Sequence, residues 1–461
     1  MRRHDAQSRG ISGRAAAFAR CRALPFACLP LACLLLSACG SGFFGESDDG
    51  PPLPGERIPV LVYDKTIEPD SSIADEPIVL PPVVANDDWT QPGGNARHAL
   101  SRLSLPSQLQ VAWQADIGTG SDDDAQLLAQ PIVDNGVVYT MDAMSRVSAF
   151  DGATGRRLWD LDLGDKVADS GAFGGGLAIG DGRLYATTGF AWVYALNPAD
   201  GEILWERQAP GPMRGGPTYA DGRIFILTVD NHTLAVNAAD GRLLWNHIGV
   251  EEMASLVGLS SVAVDGNLAI VPYTSGELLG IDIATGEELW QESLAALTVL
   301  DPLADIPQIK GLPVLDNEQI FAISHAGRMV GLDLQQGIRL WDIDLGGIQT
   351  PWLAGDFLFV VSNDAQLVCL RRRDGRIRWV QALERYNDPE DKEEPILWFG
   401  PLLVGDRLIA ANSNKQLVSF APETGELLST VDLPGSPAVS PAVAGETLYI
   451  STTGGKLLAL R

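Results

Sequence analysis

An all-β fold built from one recurring four-stranded unit is what this sequence predicts, and three observations predict it. First, a glycine followed four residues later by tryptophan recurs at Gly155/Trp159, Gly201/Trp205, Gly241/Trp245, Gly286/Trp290, Gly337/Trp341 and Gly375/Trp379, and a seventh copy, Gly425/Ser429, has lost the ring. The intervals between these glycines run from 38 to 51 residues. Second, a short apolar run after a turn recurs eight times, at Val137-Val138-Tyr139, Arg183-Leu184-Tyr185, Arg223-Ile224-Phe225, Asn267-Leu268-Ala269, Gln319-Ile320-Phe321, Phe357-Leu358-Phe359, Arg407-Leu408-Ile409 and Thr447-Leu448-Tyr449. Third, the last unit stops at Lys456-Leu457-Leu458-Ala459-Leu460-Arg461, one strand short, while a matching strand, Leu109-Gln110-Val111-Ala112-Trp113-Gln114-Ala115, stands alone ahead of the first unit. Units of this length that cannot bury a core singly, and stack to share one, are propeller blades. The expectation for residues 108–461 is therefore an eight-bladed β-propeller, closed by an N-terminal strand that completes the last blade and removes an open edge. A linear β-solenoid would need shorter repeats and no borrowed strand.

The third unit shows how each blade is specified. Thr218-Tyr219-Ala220 leads to Asp221-Gly222 and then to Arg223-Ile224-Phe225-Ile226-Leu227, and a turn at Asp230-Asn231 precedes Thr233-Leu234-Ala235-Val236. Asp240-Gly241 then introduces Leu243-Leu244-Trp245. Asp-Gly reaches positive φ at low steric cost, so it marks the hairpins between short antiparallel strands.

Ahead of the repeats, residues 1–38 have the layout of a secretory leader: six arginines against one aspartate, then the apolar run Ala23 to Ala38. That run is interrupted by Pro25 and Pro30 and is short for a membrane span, which needs about 20 apolar residues. Leu36-Ser37-Ala38-Cys39 resembles the bacterial lipobox, so Cys39 is the expected lipidation site; an ordinary leader with a coincidental cysteine is the alternative. Gly40 follows in place of the aspartate associated with inner-membrane retention, which points to the outer membrane. Residues 39–107 are acidic and rich in proline and are expected to form a tether, largely extended, with a short docking segment near 86–95 in which Trp89 is buried.

The formal charge is −26, and loss of the arginine-rich leader leaves a body near −31. A surface so acidic repels nucleic acid, whose binding depends on neutralising phosphates. It also opposes adsorption to anionic lipid, leaving acyl chains to hold the protein at a membrane. Of five cysteines only Cys369 remains beyond Cys39, in the apolar stretch Gln366-Leu367-Val368-Cys369-Leu370, where it reads as a small buried hydrophobe.

The unit of turn, Gly-x-Leu-x-Ala-Leu-Asp-like strand, Thr-Gly turn and tryptophan strand resembles the quinoprotein-dehydrogenase-like (PQQ-like) repeat over Leu109 to Arg461. Together with the lipobox and acidic tether, the chain resembles the BamB family, lipoprotein subunits of the outer-membrane β-barrel assembly machinery. Trp89-Thr90-Gln91-Pro92-Gly93-Gly94-Asn95 is similar to alphaproteobacterial forms. That resemblance implies a non-catalytic scaffold, lipid-anchored at the periplasmic face of the outer membrane. Its implied partners are the periplasmic domains of the barrel-forming subunit and, as a further class, nascent outer-membrane proteins. It also implies a contact loop, here Pro212-Met213-Arg214-Gly215-Gly216, with Met213 and Arg214 as the partner-binding residues. The reading from the residues alone leaves Arg214 open as a solvated side chain entering its blade. Relatives often carry acids in the next inter-blade loop, where this chain has Leu256-Val257-Gly258-Leu259, so the contact is expected to be more apolar here.

Two rival functions belong to the same repeat. A quinone-dependent dehydrogenase would be expected to show adjacent cysteines and a Glu/Asn/Asp set for calcium, a hard cation that demands several oxygen ligands. The sequence has no adjacent cysteine pair, its histidines show no metal spacing, and no nucleophile elbow or phosphate loop occurs. Ser121-Asp122-Asp123-Asp124 lacks the glycine kink and distal glutamate of a dedicated calcium loop and reads as solvated. No catalytic, cofactor-binding or metal-binding residue is assigned. A receptor for a small ligand in the central channel is the second rival.

Overall fold

The computed structural model describes residues 67–164, 173–295 and 306–461. The leader, Cys39 and the first part of the tether lie outside the described residues. Among the described residues short antiparallel strands dominate, and the helical structure is a single 3-10 turn at Ser71–Ile73. Among the described residues, seven sheets are four-stranded and an eighth, six-stranded, contains the same four-stranded meander. We number them along the chain: sheet 1 (132–162), sheet 2 (175–208), sheet 3 (218–248), sheet 4 (263–293), sheet 5 (314–343), sheet 6 (352–382), sheet 7 (398–432) and sheet 8 (442–460). The outermost strand of sheet 8 is Val111–Asp116, which pairs antiparallel with Lys456–Leu460, Trp113 opposite Ala459.

One rule repeats in the outer strand pair of these sheets. The residue opposite the tryptophan is small: Ala149 faces Trp159, Ala195 faces Trp205, Ala235 faces Trp245, Gly280 faces Trp290 and Gly331 faces Trp341. Cys369 occupies this position opposite Trp379, wholly buried, and burial pushes its thiol well above the usual range. Its role is volume: a larger side chain would meet an indole across about 5 Å.

Each tryptophan then packs beneath the turn glycine of the following sheet. A Cβ on Gly201 would stand 2.8 Å from the Trp159 ring, and the same relation links Gly241 to Trp205, Gly286 to Trp245, Gly337 to Trp290, Gly375 to Trp341 and Gly425 to Trp379. Trp113 of sheet 8 stands under Gly155 of sheet 1 in the same way, a Cβ there lying 2.5 Å from the ring. Most of these indoles also donate to a carbonyl in the same turn, as Trp159 does to Pro198 O at 2.9 Å and Trp113 to Gly152 O at 3.1 Å. Positive φ at these glycines and the absence of a side chain are thus both required.

The segment before the repeats is more integrated than the sequence suggests. Docking was expected near 86–95, yet contacts run from Asp70, whose N–H donates to Ile377 O at 2.8 Å, through Glu76, paired with the buried Arg371, to Leu103. Between Asn86 and Leu103 the chain visits every sheet in turn. Asn86 O accepts from Gly445 N beside sheet 8, and Trp89 exchanges two backbone bonds of 2.8 Å with Val133 of sheet 1. Thr90 O accepts from Ile179 N of sheet 2, and Gln91 Oε1 from Tyr219 N of sheet 3. Ala96 O accepts from Val264 N of sheet 4, Arg97 O from Leu315 N of sheet 5, and Ser101 O from the Trp352 indole of sheet 6. Leu103 O takes Gly405 N beside sheet 7. In sheets 1 to 5 this belt satisfies backbone donors within the first strands, at Val133, Ile179, Tyr219, Val264 and Leu315, and Trp89 is 1% exposed, as expected.

Candidate partner-binding rim and central cavity

The innermost strands and the segments leading into them surround a cavity of about 200 Å³. The belt supplies one end of its lining, with Trp89, Pro92, Gly93 and His98. Gly216 is held close to this end: a Cβ there would stand 2.7 Å from Pro92 Cγ, so the Gly215-Gly216 pair lets wall and belt touch. His98 is 4% exposed, and its Nδ1–H donates to Pro313 O at 2.9 Å. Burial lowers its pKa to about 4, so the ring is neutral, and its Nε2 has no hydrogen-bond partner.

Arg214 and Lys310 also line the cavity. Arg214 is half-buried with its guanidinium 4.7 Å from the Phe173 ring centroid, in cation–π range. Among the described residues neither cation forms an ion pair. Burial alone holds the Lys310 ammonium below the ordinary lysine range. Both stand beside Leu128. A Cβ on Gly174 would lie 3.0 Å from Leu128 Cδ1 and 3.4 Å from Arg214 Cγ, and one on Gly258 would lie 3.8 Å from both Leu128 Cδ2 and Lys310 Nζ.

Met213 requires a correction. The expectation placed it beside Arg214 as a partner-binding residue, but it is 0% exposed and belongs to the apolar cluster between sheets 2 and 3 with Tyr185, Ile224 and Leu234. Its backbone N–H is tied to Thr188 O at 3.2 Å. Met213 therefore anchors the loop from beneath, and Arg214 alone of the pair reaches the surface. Sequence reasoning missed the adjoining loop: Ile248, Val250, Met253 and Val257 are all exposed, Met253 completely. Leu259 N donates to Arg214 O at 3.2 Å, which joins the two segments. The signal was Val250 and Met253, which flank Glu251 and Glu252 ahead of the stretch read from Leu256 onward.

Elsewhere the polar residues serve the fold. Asp122 spends its Oδ1 on Asp124 N and Ala125 N within its own turn, at 2.9 and 2.7 Å. Among the described residues no group of three or more His, Cys, Asp or Glu side chains is placed to hold a metal ion.

Repeated four-stranded sheets, packed by tryptophan under glycine around a central cavity, define a β-propeller of the quinoprotein-type repeat. The sequence profile described as "Outer membrane protein assembly factor BamB" matches residues 143–381, and that of the β-propeller domain of glucose, ethanol and alcohol dehydrogenases matches residues 106–175. The chain belongs to the BamB family. It is 32% identical over 302 residues to the outer membrane protein assembly factor BamB of Salmonella typhimurium, covering 64% of this chain and 76% of that protein. The crystal structure of BamB from Moraxella catarrhalis superposes with a TM-score of 0.61 at 17% identity, over 77% of this chain and 98% of the other. A europium-containing methanol dehydrogenase superposes at 0.66 with 11% identity, over 81% and 98%. At these identities the two structural likenesses bear on fold alone.

Proposed function

We propose that this protein is a non-catalytic scaffold of the outer-membrane β-barrel assembly machinery, which binds the periplasmic domains of the barrel-forming subunit through the rim around Arg214. Nascent outer-membrane proteins are a further class of partner in this reading. The observation that carries it is the rim itself: an arginine outside any ion pair among the described residues, beside a loop that exposes Ile248, Val250 and Met253. Large apolar side chains grouped on a surface mark contact sites, and arginine is favoured at their anchors. Membership in a family whose relatives are named outer membrane protein assembly factors supplies the context.

Residues 1–38 act as a leader in this reading, and acylated Cys39 holds the protein at the periplasmic face of the outer membrane by way of a tether that ends near residue 107. The sheets form an eight-bladed ring over 108–461, closed where Val111–Asp116 completes sheet 8. Trp113 beneath Gly155 supports this closure, because it repeats between sheets 8 and 1 the contact made by every other consecutive pair except sheets 7 and 8.

The test is co-purification. The lipidated chain, extracted in mild detergent, should bring down the barrel-forming subunit, and Val250→Asp with Met253→Asp should remove most of it while leaving the melting temperature in place. Undiminished recovery with the double variant would remove the rim assignment. Cys39→Ser should release the chain from the outer-membrane fraction of cells lacking the partner.

A further inference from the structure

The loop beside Arg214 sets one sulfur of this chain apart from the others. Of the six methionines, Met1 lies outside the described residues. Met141, Met213 and Met329 are buried in the apolar clusters between sheets, and Met144 is 37% exposed. Met253, among the described methionines, is the one that stands completely exposed. The thiol of Cys369 is wholly buried, and burial pushes it well above the usual range, away from the thiolate that oxidants attack. An oxidant arriving from solvent therefore meets one fully accessible sulfur among the described residues, in the middle of the apolar loop. The loop does not take its shape from that side chain. At one end Gly249 N donates to Asn231 O at 2.9 Å. At the other, Leu256 N donates to Oε1 of the buried Gln308 at 2.7 Å, and Gln308 Nε2 donates to Gly258 O at 2.8 Å. Met253 projects between these two ties.

We propose that Met253 is a redox-controlled residue of the rim: its oxidation to the sulfoxide by a hydroperoxide weakens partner binding, and reduction by a dithiol restores it. The proposal rests on the rim contact and adds its regulation. In the oxidation a sulfur lone pair attacks one oxygen of hydrogen peroxide. The S–O bond forms as the O–O bond breaks, the proton of the transferred hydroxyl passes to the departing hydroxide, and water leaves; sulfur gives up the two electrons that the peroxide gains. In the return step the sulfoxide oxygen leaves as water while two thiols close to a disulfide. Oxidation turns a flexible apolar side chain into a polar one with a strong acceptor oxygen. Against a partner, that oxygen has to be stripped of water, and the apolar burial that Met253 shares with Ile248, Val250 and Val257 is reduced. Because the side chain lies wholly in solvent, the sulfoxide changes the surface and leaves the packing beneath it alone.

The full chain is treated with limiting hydrogen peroxide, mapped by peptide mass spectrometry, and titrated with the purified periplasmic domains of the barrel-forming subunit before and after treatment. Met253 should oxidise first, Met144 more slowly, and Met141, Met213 and Met329 should stay intact while the melting temperature does not move. The oxidised parent should bind about tenfold or more weakly, the loss expected when the apolar burial of one methionine is forfeited. The two stereospecific methionine sulfoxide reductases, supplied with dithiothreitol, should restore the affinity. Met253→Leu is judged by its own ratio of affinities with and without peroxide, which should be near unity whatever its starting affinity, and Met144→Leu should keep the ratio of the parent. Met253→Gln, polar and of similar length, should lower affinity about as far as oxidation does. Oxidation of Met144 ahead of Met253, or an affinity unchanged once Met253 is fully converted, would overturn the proposal and leave the rim contact standing. An untreated chain that does not bind the domains would instead remove the rim contact, and the switch with it.

Discussion

Sheet 7 and its six predecessors are built alike until their outer strands, and the difference says what the repeated tryptophan is for. In sheets 1 to 6 the outer strand carries tryptophan, and each ring lies under the turn glycine of the next sheet. Sheet 7 carries Ser429, which is exposed, in a strand where Leu427 and Leu428 are exposed as well. Its neighbour, sheet 8, has no such turn: its third strand is Lys456–Leu460 and its fourth, Val111–Asp116, comes from the other end of the repeat region. The ring is therefore missing where there is no glycine turn to cover it. A tryptophan retained for stacking on a cofactor would follow no such rule.

The largest effect should come from separating belt and borrowed strand. Removal of residues through 106 strips the backbone ties to all the sheets but leaves Val111–Asp116, and should lower the melting temperature by about 10 °C or more. Removal through 118 also takes Trp113 and opens an unpaired edge on sheet 8, and should leave no single cooperative transition in calorimetry. Identical thermograms for the two truncations would mean that the borrowed strand contributes nothing.

Next in size are single substitutions at the two kinds of outer strand. Trp379, 6% exposed, should cost about 3 kcal/mol on replacement by alanine, as buried aromatic truncations do. Gly425→Ala should cost about 1 kcal/mol or more in denaturant titration, because its φ is 77° and the new methyl would stand 2.7 Å from the Trp379 ring. Ser429→Trp, with nothing to cover, should fall within about 0.5 kcal/mol of the parent. A large stabilisation by Ser429→Trp would undo the explanation of its loss.

A pH-dependent effect concerns the belt alone. His98 has a folded pKa near 4 against an ordinary 6.5, so between these values the unfolded chain binds a proton that the folded chain refuses. Stability should fall as pH drops through that window and this contribution should level off below it. His98→Asn, which tolerates the φ of 53° found there, should flatten this part of the profile in melting experiments.

The repeats were legible because their turns and rings are side-chain signals at fixed spacing: Asp221-Gly222, with φ of 48° and 68°, forms the hairpin its sequence announces. The belt was not, since seven of its eight ties to the sheets are made by main-chain carbonyls such as Thr90 O, Ala96 O and Arg97 O, which any residue could supply. Only Trp89 and the Gly93-Gly94 turn gave it away. Arg214 was found through its loop, but the burial of Met213 depends on packing between sheets 2 and 3, which adjacency in sequence does not report. Lys310 reaches the cavity because several sheets converge there, and no local pattern encodes that.

The scaffold reading is tested most directly by titrating the purified periplasmic domains of the barrel-forming subunit into the chain and into its Arg214→Glu variant. Charge reversal at the rim should weaken binding by about 2 kcal/mol or more, the range of an interface anchor, with the melting temperature nearly unchanged. Equal affinity of the two proteins, or no binding by either, would contradict the account.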